Sequence, residues 1–158
     1  MTVAERARSA VERALVADDL ELLLRGDSPY SIPEEYMAPS TVPTNWSAMI
    51  RNGLEAASRD DASVPARLEE ALLHATGDAE GLYCALEFFR AYLTIRSRRP
   101  IFPLDVQRIS DALRAGIAAH QAEIRSLHPA WLAPGEDLWE RVVRLCDLIK
   151  DKHGIALR

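Results

Sequence analysis

The sequence predicts an all-α fold of six to seven helices, arranged as stacked antiparallel hairpins in a helical bundle or a short HEAT-like array. Helix-favouring Ala, Leu, Arg and Glu are abundant, while Val, Ile and Thr are sparse and never alternate over a strand's length. Apolar residues also recur three and four positions apart in most segments. The stretch Asp78–Arg99 is apolar over most of its helical circumference. We therefore expect it to be a central helix that other helices cover on nearly every side.

The N-terminal residues are predicted to form two abutting helices. Thr2-Val3-Ala4-Glu5 matches a capping box, in which the threonine and the glutamate satisfy each other's backbone amides. Asp18-Asp19 can cap a second helix, and Gly26 is a suitable C-terminal stop. A single bent helix is the alternative.

Residues 27–44 are predicted to be a long loop, because they hold four of the nine prolines at spacings that forbid a long helix. Long loops in compact domains tend to be functional or disordered. This one also carries much apolar surface, so it is either strapped over the core or presents a contact surface, and the two interpretations are compatible. As a contact surface it would bind a basic partner through aromatic anchors beside acidic groups. The predicted partner-binding residues are Tyr30, Glu34, Glu35, Tyr36 and Met37.

The rest of the chain is predicted to form further helices joined mostly by short turns. Ser63, Asp78 and Asp105 are the expected N-terminal caps, and Gly154 is the expected stop of the last helix. The expected helices run from Thr44 to about Asp60, from Ser63 to Gly77, from Asp78 to Arg99, from Asp105 to Leu127 and from Glu136 to His153.

Length and composition favour one globular domain, residues 1–158, with enough apolar residues to bury a single core. No hydrophobic run has membrane-spanning length, and the charged N-terminus lacks the apolar core of a secretion signal. Cys84 and Cys146 lie in apolar helix faces, which is typical of free thiols in a reducing compartment. Arginine largely replaces lysine beside many alanines, which suggests a GC-rich bacterial genome. We expect a bacterial cytoplasmic protein.

The net charge of −5 is unevenly distributed, because residues 1–79 hold 7 Arg and Lys against 14 Asp and Glu. An acidic half disfavours nucleic acid as the main ligand, since binding to phosphates needs a basic face. The same charge would steer the encounter with a basic protein. The composition therefore favours a protein partner, with no nucleic acid and no membrane.

No motif for catalysis, cofactor binding or metal binding is present. The four histidines lack ligand spacing, and there is no nucleophile elbow and no Gly-rich phosphate loop. We expect no metal, no cofactor and no enzymatic activity. If the protein were an enzyme, His120, Glu87 and Arg90 would be the candidates, although His120 fits better as a core histidine.

One polar strip lies on the otherwise apolar central helix. Its residues are three and four positions apart, so they share a face. Glu87 and Arg90 can form a structural ion pair there, or the strip can be the floor of a groove. The candidate groove residues are Tyr83, Glu87, Arg90 and Thr94.

The stretch Leu86–Ile117, LEFFRAYLTIRSRRPIFPLDVQRISDALRAGI, together with the Pro-rich residues 27–44, resembles small helical immunity proteins of interbacterial toxin systems. The resemblance implies a tight stoichiometric inhibitor that occludes the active site of a toxin. The first hypothesis is therefore a protein-binding module of the inhibitor or immunity type. A helical scaffold or regulatory protein without catalysis is the alternative, and an enzyme of unrecognised type is the second alternative.

Overall fold

A computed structural model describes residues 3–25, 42–96, 103–127 and 135–158. These residues contain seven helices and no strand, so the predicted all-α fold class is confirmed. The helices are α1 (Val3–Ala17), α2 (Leu20–Arg25), α3 (Val42–Asp60), α4 (Val64–Ala75), α5 (Ala79–Arg96), α6 (Val106–Ser126) and α7 (Leu138–His153).

The N-terminal residues form two helices, as predicted, and the break lies at Asp18. This residue has a φ of 54°, a left-handed conformation that Asp tolerates better than most side chains. The following Asp19 caps α2, because its Oδ1 accepts a hydrogen bond from the Leu22 amide at 3.1 Å. The reversal therefore depends on both acidic residues.

The start of α3 differs from the prediction. The helix begins at Val42, two residues before the expected Thr44, so the last part of the predicted loop is helical. Pro43 is compatible with this start, because the first turn of a helix does not need its amide. The other residues of that loop, 27–41, and the predicted helix stop Gly26 lie outside the described residues.

Helix α5 is the central helix, which confirms the prediction. From Ala79 to Leu93 its residues are buried except for exposed Glu80 and half-buried Arg90. It lies against α2, α3, α4, α6 and α7. One hydrophobic core receives side chains from all seven helices. A helix that is apolar almost all round is stable only when neighbours remove that surface from water.

Most of the predicted caps are present, with two corrections. Asp78 and Asp105 accept hydrogen bonds from the amides of Gly81 and Arg108, as N-caps do. The Ser63 hydroxyl does not cap α4; it donates to Asp61 Oδ1 at 2.7 Å. The last helix starts at Leu138 rather than Glu136. Its N-cap is Asp137, which accepts from the Trp139 amide at 2.7 Å.

The C-terminal residues pack back onto the helices. Gly154 ends α7 with a φ of 71°, the left-handed conformation that glycine adopts without strain. Leu157 is buried, Arg114 donates to the carbonyl of Ala156, and Arg158 forms an ion pair with Asp147 at 2.5 Å. Across the described part of the chain, no helix is both long enough and apolar enough to span a bilayer.

Candidate functional site

The polar strip predicted on α5 lies largely in the interior. The Tyr83 and Glu87 residues are each 1% exposed, and the Arg90 side chain is 13% exposed. The side chain of Thr94 lies outside the described residues. The two buried residues therefore do not themselves line an open groove, and the groove hypothesis gains no support from them.

Glu87 is the centre of a buried network. Its Oε1 accepts hydrogen bonds from the Tyr83 hydroxyl at 3.3 Å and from Arg141 Nη2 at 3.2 Å. Arg90 Nε lies 3.8 Å from Glu87 Oε2, so the predicted ion pair on α5 is present, although its two atoms are not in hydrogen-bond contact. Arg141 comes from α7, so the network links α5 to α7. We refer to Tyr83, Glu87, Arg90 and Arg141 as the Glu87 network.

Arg141 was not predicted from the sequence as a functional or structural partner. Burial disfavours its charged form, but Tyr83 and Glu87 more than compensate, so the pKa of Arg141 lies above its ordinary value. Arg141 lies on the charged face of the amphipathic helix α7. Nothing in the sequence indicates that this arginine, rather than another charged residue, contacts Glu87. Its role in the described structure is to neutralise a buried carboxylate.

His120 is not brought to the Glu87 network. Its side chain is 22% exposed, and its Nδ1 lies 3.5 Å from Glu123 Oε2 on the same helix. Its charge also acts on Asp78, whose pKa is lowered partly by it. Among the described residues, the ion-pair partner of His120 is Glu123 on α6, whereas Glu87 and Arg90 belong to the Glu87 network.

Both cysteines are buried and free, as predicted. Burial raises the pKa of Cys84 to about 12 and that of Cys146 to about 11. A thiol must lose its proton to act as a nucleophile. Neither cysteine is poised for such chemistry near neutral pH.

The loop residues predicted to bind a partner lie outside the described residues. These residues are Tyr30, Glu34, Glu35, Tyr36 and Met37. Their assignment as a contact surface stays a prediction.

One concavity among the described residues is an open cleft between the α1–α2 turn and α4. Its volume is about 480 Å³. Four carboxylates and two basic groups line it beside three apolar residues. We refer to this site as the acidic cleft, and its lining residues are Asp18, Asp19, Leu20, Glu21, Ala66, Arg67, Glu70, Ala71 and His74.

One wall of the acidic cleft is held by Arg67 of α4. Its Nε lies 3.0 Å from Asp18 Oδ1, and its Nη2 donates to the carbonyl of Leu15 at 2.9 Å. The left-handed conformation of Asp18 brings its carboxylate to this position. Arg67 therefore ties the α1–α2 turn to α4.

At the other wall, Glu21 and His74 belong to a chain of ionisable side chains across three elements, whose further members, Arg25 and Asp78, do not line the cleft. His74 Nδ1 lies 2.5 Å from Glu21 Oε2, and the other oxygen of Glu21 accepts from Arg25 Nε at 2.8 Å. Arg25 also makes a two-pronged contact with Asp78 at the start of α5. Arg25 holds the pKa of Asp78 below its usual range. We refer to Glu21, Arg25, His74 and Asp78 as the Arg25 clamp.

The close fit of the Arg25 clamp depends on Gly81. A Cβ on Gly81 would lie 2.2 Å from the carbonyl oxygen of Ala75 and 2.7 Å from Arg25 Nη2. Because Gly81 has no side chain, the end of α4 can lie directly against the first turn of α5. The Arg25 guanidinium can lie against the same turn.

The sequence shows the carboxylates of the acidic cleft but no pattern that joins them. The pairs Asp18-Asp19 and Glu69-Glu70 lie on segments far apart in the chain, and such pairs are typical of helix caps and solvated surface. Only the packing of α2 against α4 puts members of both pairs around one cleft. Within the described ranges, no group of three or more His, Cys, Asp or Glu residues is placed to hold a metal ion.

Comparison with known proteins gives no relative. The chain matches no protein-family model, no curated protein and no solved structure.

Proposed function

We propose that this chain is a protein-binding module of the inhibitor or immunity type, which binds a basic partner protein stoichiometrically. The observation that supports this most directly is the acidic cleft, an open concavity of about 480 Å³ with four carboxylates in its lining. A basic segment of a partner would find complementary charge there.

The distribution of charge supports the same proposal. Residues 1–79, which contribute all of the cleft, hold 14 acidic and 7 basic residues. Such an excess attracts a basic partner over a distance of about one Debye length, roughly 8 Å at physiological ionic strength. It thereby raises the association rate more than the affinity of the final complex.

The cleft keeps exposed carboxylates available to a partner. Glu70 has 67% of its side chain exposed, although it shares Arg108 with Glu69. Asp19 is exposed and uses one oxygen to cap α2. A carboxylate has several acceptor positions, so each can bind a partner's cation while keeping its internal contact.

The proposal is tested by a pair of variants with equal net charge. Asp19→Asn/Glu70→Gln removes two cleft charges and keeps the capping oxygen of residue 19. The matched control, Glu140→Gln/Asp151→Asn, removes two exposed charges from α7. The wild-type chain and both variants are used to capture proteins from cells of the source organism, and the mass, stoichiometry and activity of any complex are measured.

We expect one basic protein in a one-to-one complex, with its own activity suppressed. The cleft variant should weaken the complex about tenfold or more, since close charge pairs can contribute about 1.5 kcal/mol or more. The control variant should bind as the wild type does. A partner that is acidic, that keeps its activity when bound, or that binds both variants equally would contradict the proposal.

A further inference from the structure

Two large hydrophobic side chains are exposed among the described residues, and both flank the same turn. Val16 is 90% exposed near the end of α1, and Leu22 is 52% exposed in α2. Single exposed apolar residues are ordinary on a protein surface. The notable feature is their position, because six positions separate them and the turn between them carries Asp18 and Asp19.

These apolar residues adjoin the acidic cleft along the chain. Val16 lies two residues before Asp18, and Leu22 directly follows Glu21. The other three leucines of α2, by contrast, are buried in the core. We refer to Val16 and Leu22 together with Asp18, Asp19 and Glu21 as the α1–α2 corner.

We propose that the α1–α2 corner docks a basic amphipathic segment of the partner protein. The acidic cleft receives the cationic side chains of this segment, and Val16 and Leu22 receive its apolar face. This inference rests on the proposed function and goes further, because it assigns the contact surface and the chemistry of the segment. Energetically important contacts in interfaces combine an apolar centre with a polar rim, and the corner offers both.

Charge complementarity selects this occupant over a purely apolar one. Three carboxylates lie between the two hydrophobic residues along the chain, within a stretch of seven residues. An acidic or neutral apolar segment would have to dock beside these charges without neutralising them. A segment with lysines or arginines on one face and apolar residues on the other satisfies both parts of the surface.

The test uses a defined probe, an amphipathic helical peptide built only from Leu and Lys. Its control is a peptide of the same composition with the order changed so that no helix face is apolar. Amide chemical-shift changes of the full-length protein locate the binding site, and titrations at low and high salt measure affinity. The variants are Val16→Ala/Leu22→Ala and Leu22→Glu, with Ala119→Ser on exposed α6 surface as the control.

The expected shift changes lie in the α1–α2 corner and along the cleft wall of α4. Val16→Ala/Leu22→Ala should weaken binding of the amphipathic peptide about tenfold or more, since the variant removes both apolar anchors. Leu22→Glu should also weaken binding, although it adds a negative charge. The reordered peptide should bind more weakly, and Ala119→Ser should have no effect.

Several results would overturn the inference. If Leu22→Glu strengthens binding, or both peptides bind equally, the surface recognises charge alone. Amide chemical-shift changes outside the α1–α2 corner and the acidic cleft, or no peptide binding, would exclude the α1–α2 corner as the docking site. The segment 26–41 of this chain is the competing occupant. If it covers the two residues, Val16→Ala/Leu22→Ala should lower the melting temperature, whereas the proposal expects it to be unchanged.

The outcomes for the two proposals are separable. If a partner is captured one-to-one through the cleft charges and Val16→Ala/Leu22→Ala does not change its affinity, the proposed function is supported. The contact of Val16 and Leu22 with an amphipathic segment is then refuted. A captured partner that binds the cleft variant and the control variant equally would refute the proposed function, and the inference that rests on it would fall as well, whatever the peptide does.

Discussion

The two charged clusters on α5 use similar groups in different surroundings. The Glu87 network lies at the contact with α7, where Glu87 is 1% and the Arg141 side chain 18% exposed. The Arg25 clamp lies at the N-terminal end of the same helix, with 29% of the Arg25 side chain and 44% of Asp78 exposed. Water can replace a lost partner in the clamp but not in the network. The same substitution should therefore have a much larger cost in the network.

The largest expected effect follows from removing Arg141. Arg141→Met keeps most of the apolar stem but leaves Glu87 without its α7 partner in a buried site. We expect a loss of about 3 kcal/mol in the free energy of unfolding, because a buried charge that loses its partner cannot be rehydrated. Chemical denaturation measures this loss.

A second substitution shows whether charge causes the loss. In Glu87→Leu/Arg90→Met/Arg141→Met all three charges of the network are replaced by apolar groups, and most of the stability should return. Lys150→Met, on exposed surface of α7, should change stability by less than about 0.5 kcal/mol. If the triple variant is as unstable as Arg141→Met, packing rather than the buried charge explains the loss.

The next expected effect tests the Arg25 clamp by shape rather than by charge. Gly→Ala inside a helix ordinarily stabilises by about 1 kcal/mol. At Gly81 the new Cβ would meet the Ala75 carbonyl at 2.2 Å and Arg25 at 2.7 Å. We therefore expect Gly81→Ala to destabilise by about 2 kcal/mol, as overpacking does. Thermal and chemical unfolding would both report this change.

A comparison with Gly77 sharpens this prediction. A Cβ on Gly77 would meet only the His74 carbonyl, at 3.2 Å, so Gly77→Ala should have a much smaller effect. Equal losses for both variants would mean that the turn between α4 and α5 tolerates no side chain at all. The close approach of the Ala75 carbonyl and Arg25 to Gly81 would then not be the cause.

The sequence predicted what depends on local pattern. The apolar circumference of Asp78–Arg99 identified the central helix, and capping chemistry located the starts of α5 and α6 at Asp78 and Asp105. Helix ends are set by a few hydrogen bonds near the chain itself. The start of α7 was misplaced by two residues because Glu136 and Asp137 are both acidic, and only the structure shows which one accepts the Trp139 amide.

The candidate site depends on contacts between distant segments, which no local pattern encodes. Arg141 is one of two arginines on α7, with Arg144, and nothing in the spacing distinguishes the one that reaches Glu87. In the same way, Arg51 and Glu55 on α3 have the i, i+4 spacing that is common for ion pairs on a helix surface. In the structure Arg51 is completely buried, and its Nη1 lies 2.6 Å from Glu55 Oε2. Burial of such pairs follows from how α1, α3 and α5 pack.

The smallest expected effect is the pH dependence of the Arg25 clamp. Arg25 lowers the pKa of Asp78 below its ordinary 3.8, and the Gly81 amide and the charge of His120 act in the same direction. A lowered pKa in the folded state contributes stability that is fully present above the unfolded-state pKa. It is lost as the pH falls through the lower, folded-state pKa.

Asp78→Asn removes this contribution and keeps the oxygen that caps α5. Near neutral pH it should cost at most about 1 kcal/mol, because both partners are partly exposed. The difference from wild type, measured by denaturation at a series of pH values, should narrow as the pH falls from about 5 to about 2. In an Arg25→Met background the same substitution should have little pH dependence. If the stability difference caused by Asp78→Asn stays constant with pH in the wild-type and the Arg25→Met backgrounds, Asp78 acts only as the N-cap of α5. The Arg25 clamp would then differ from the Glu87 network in the type of interaction and not only in exposure.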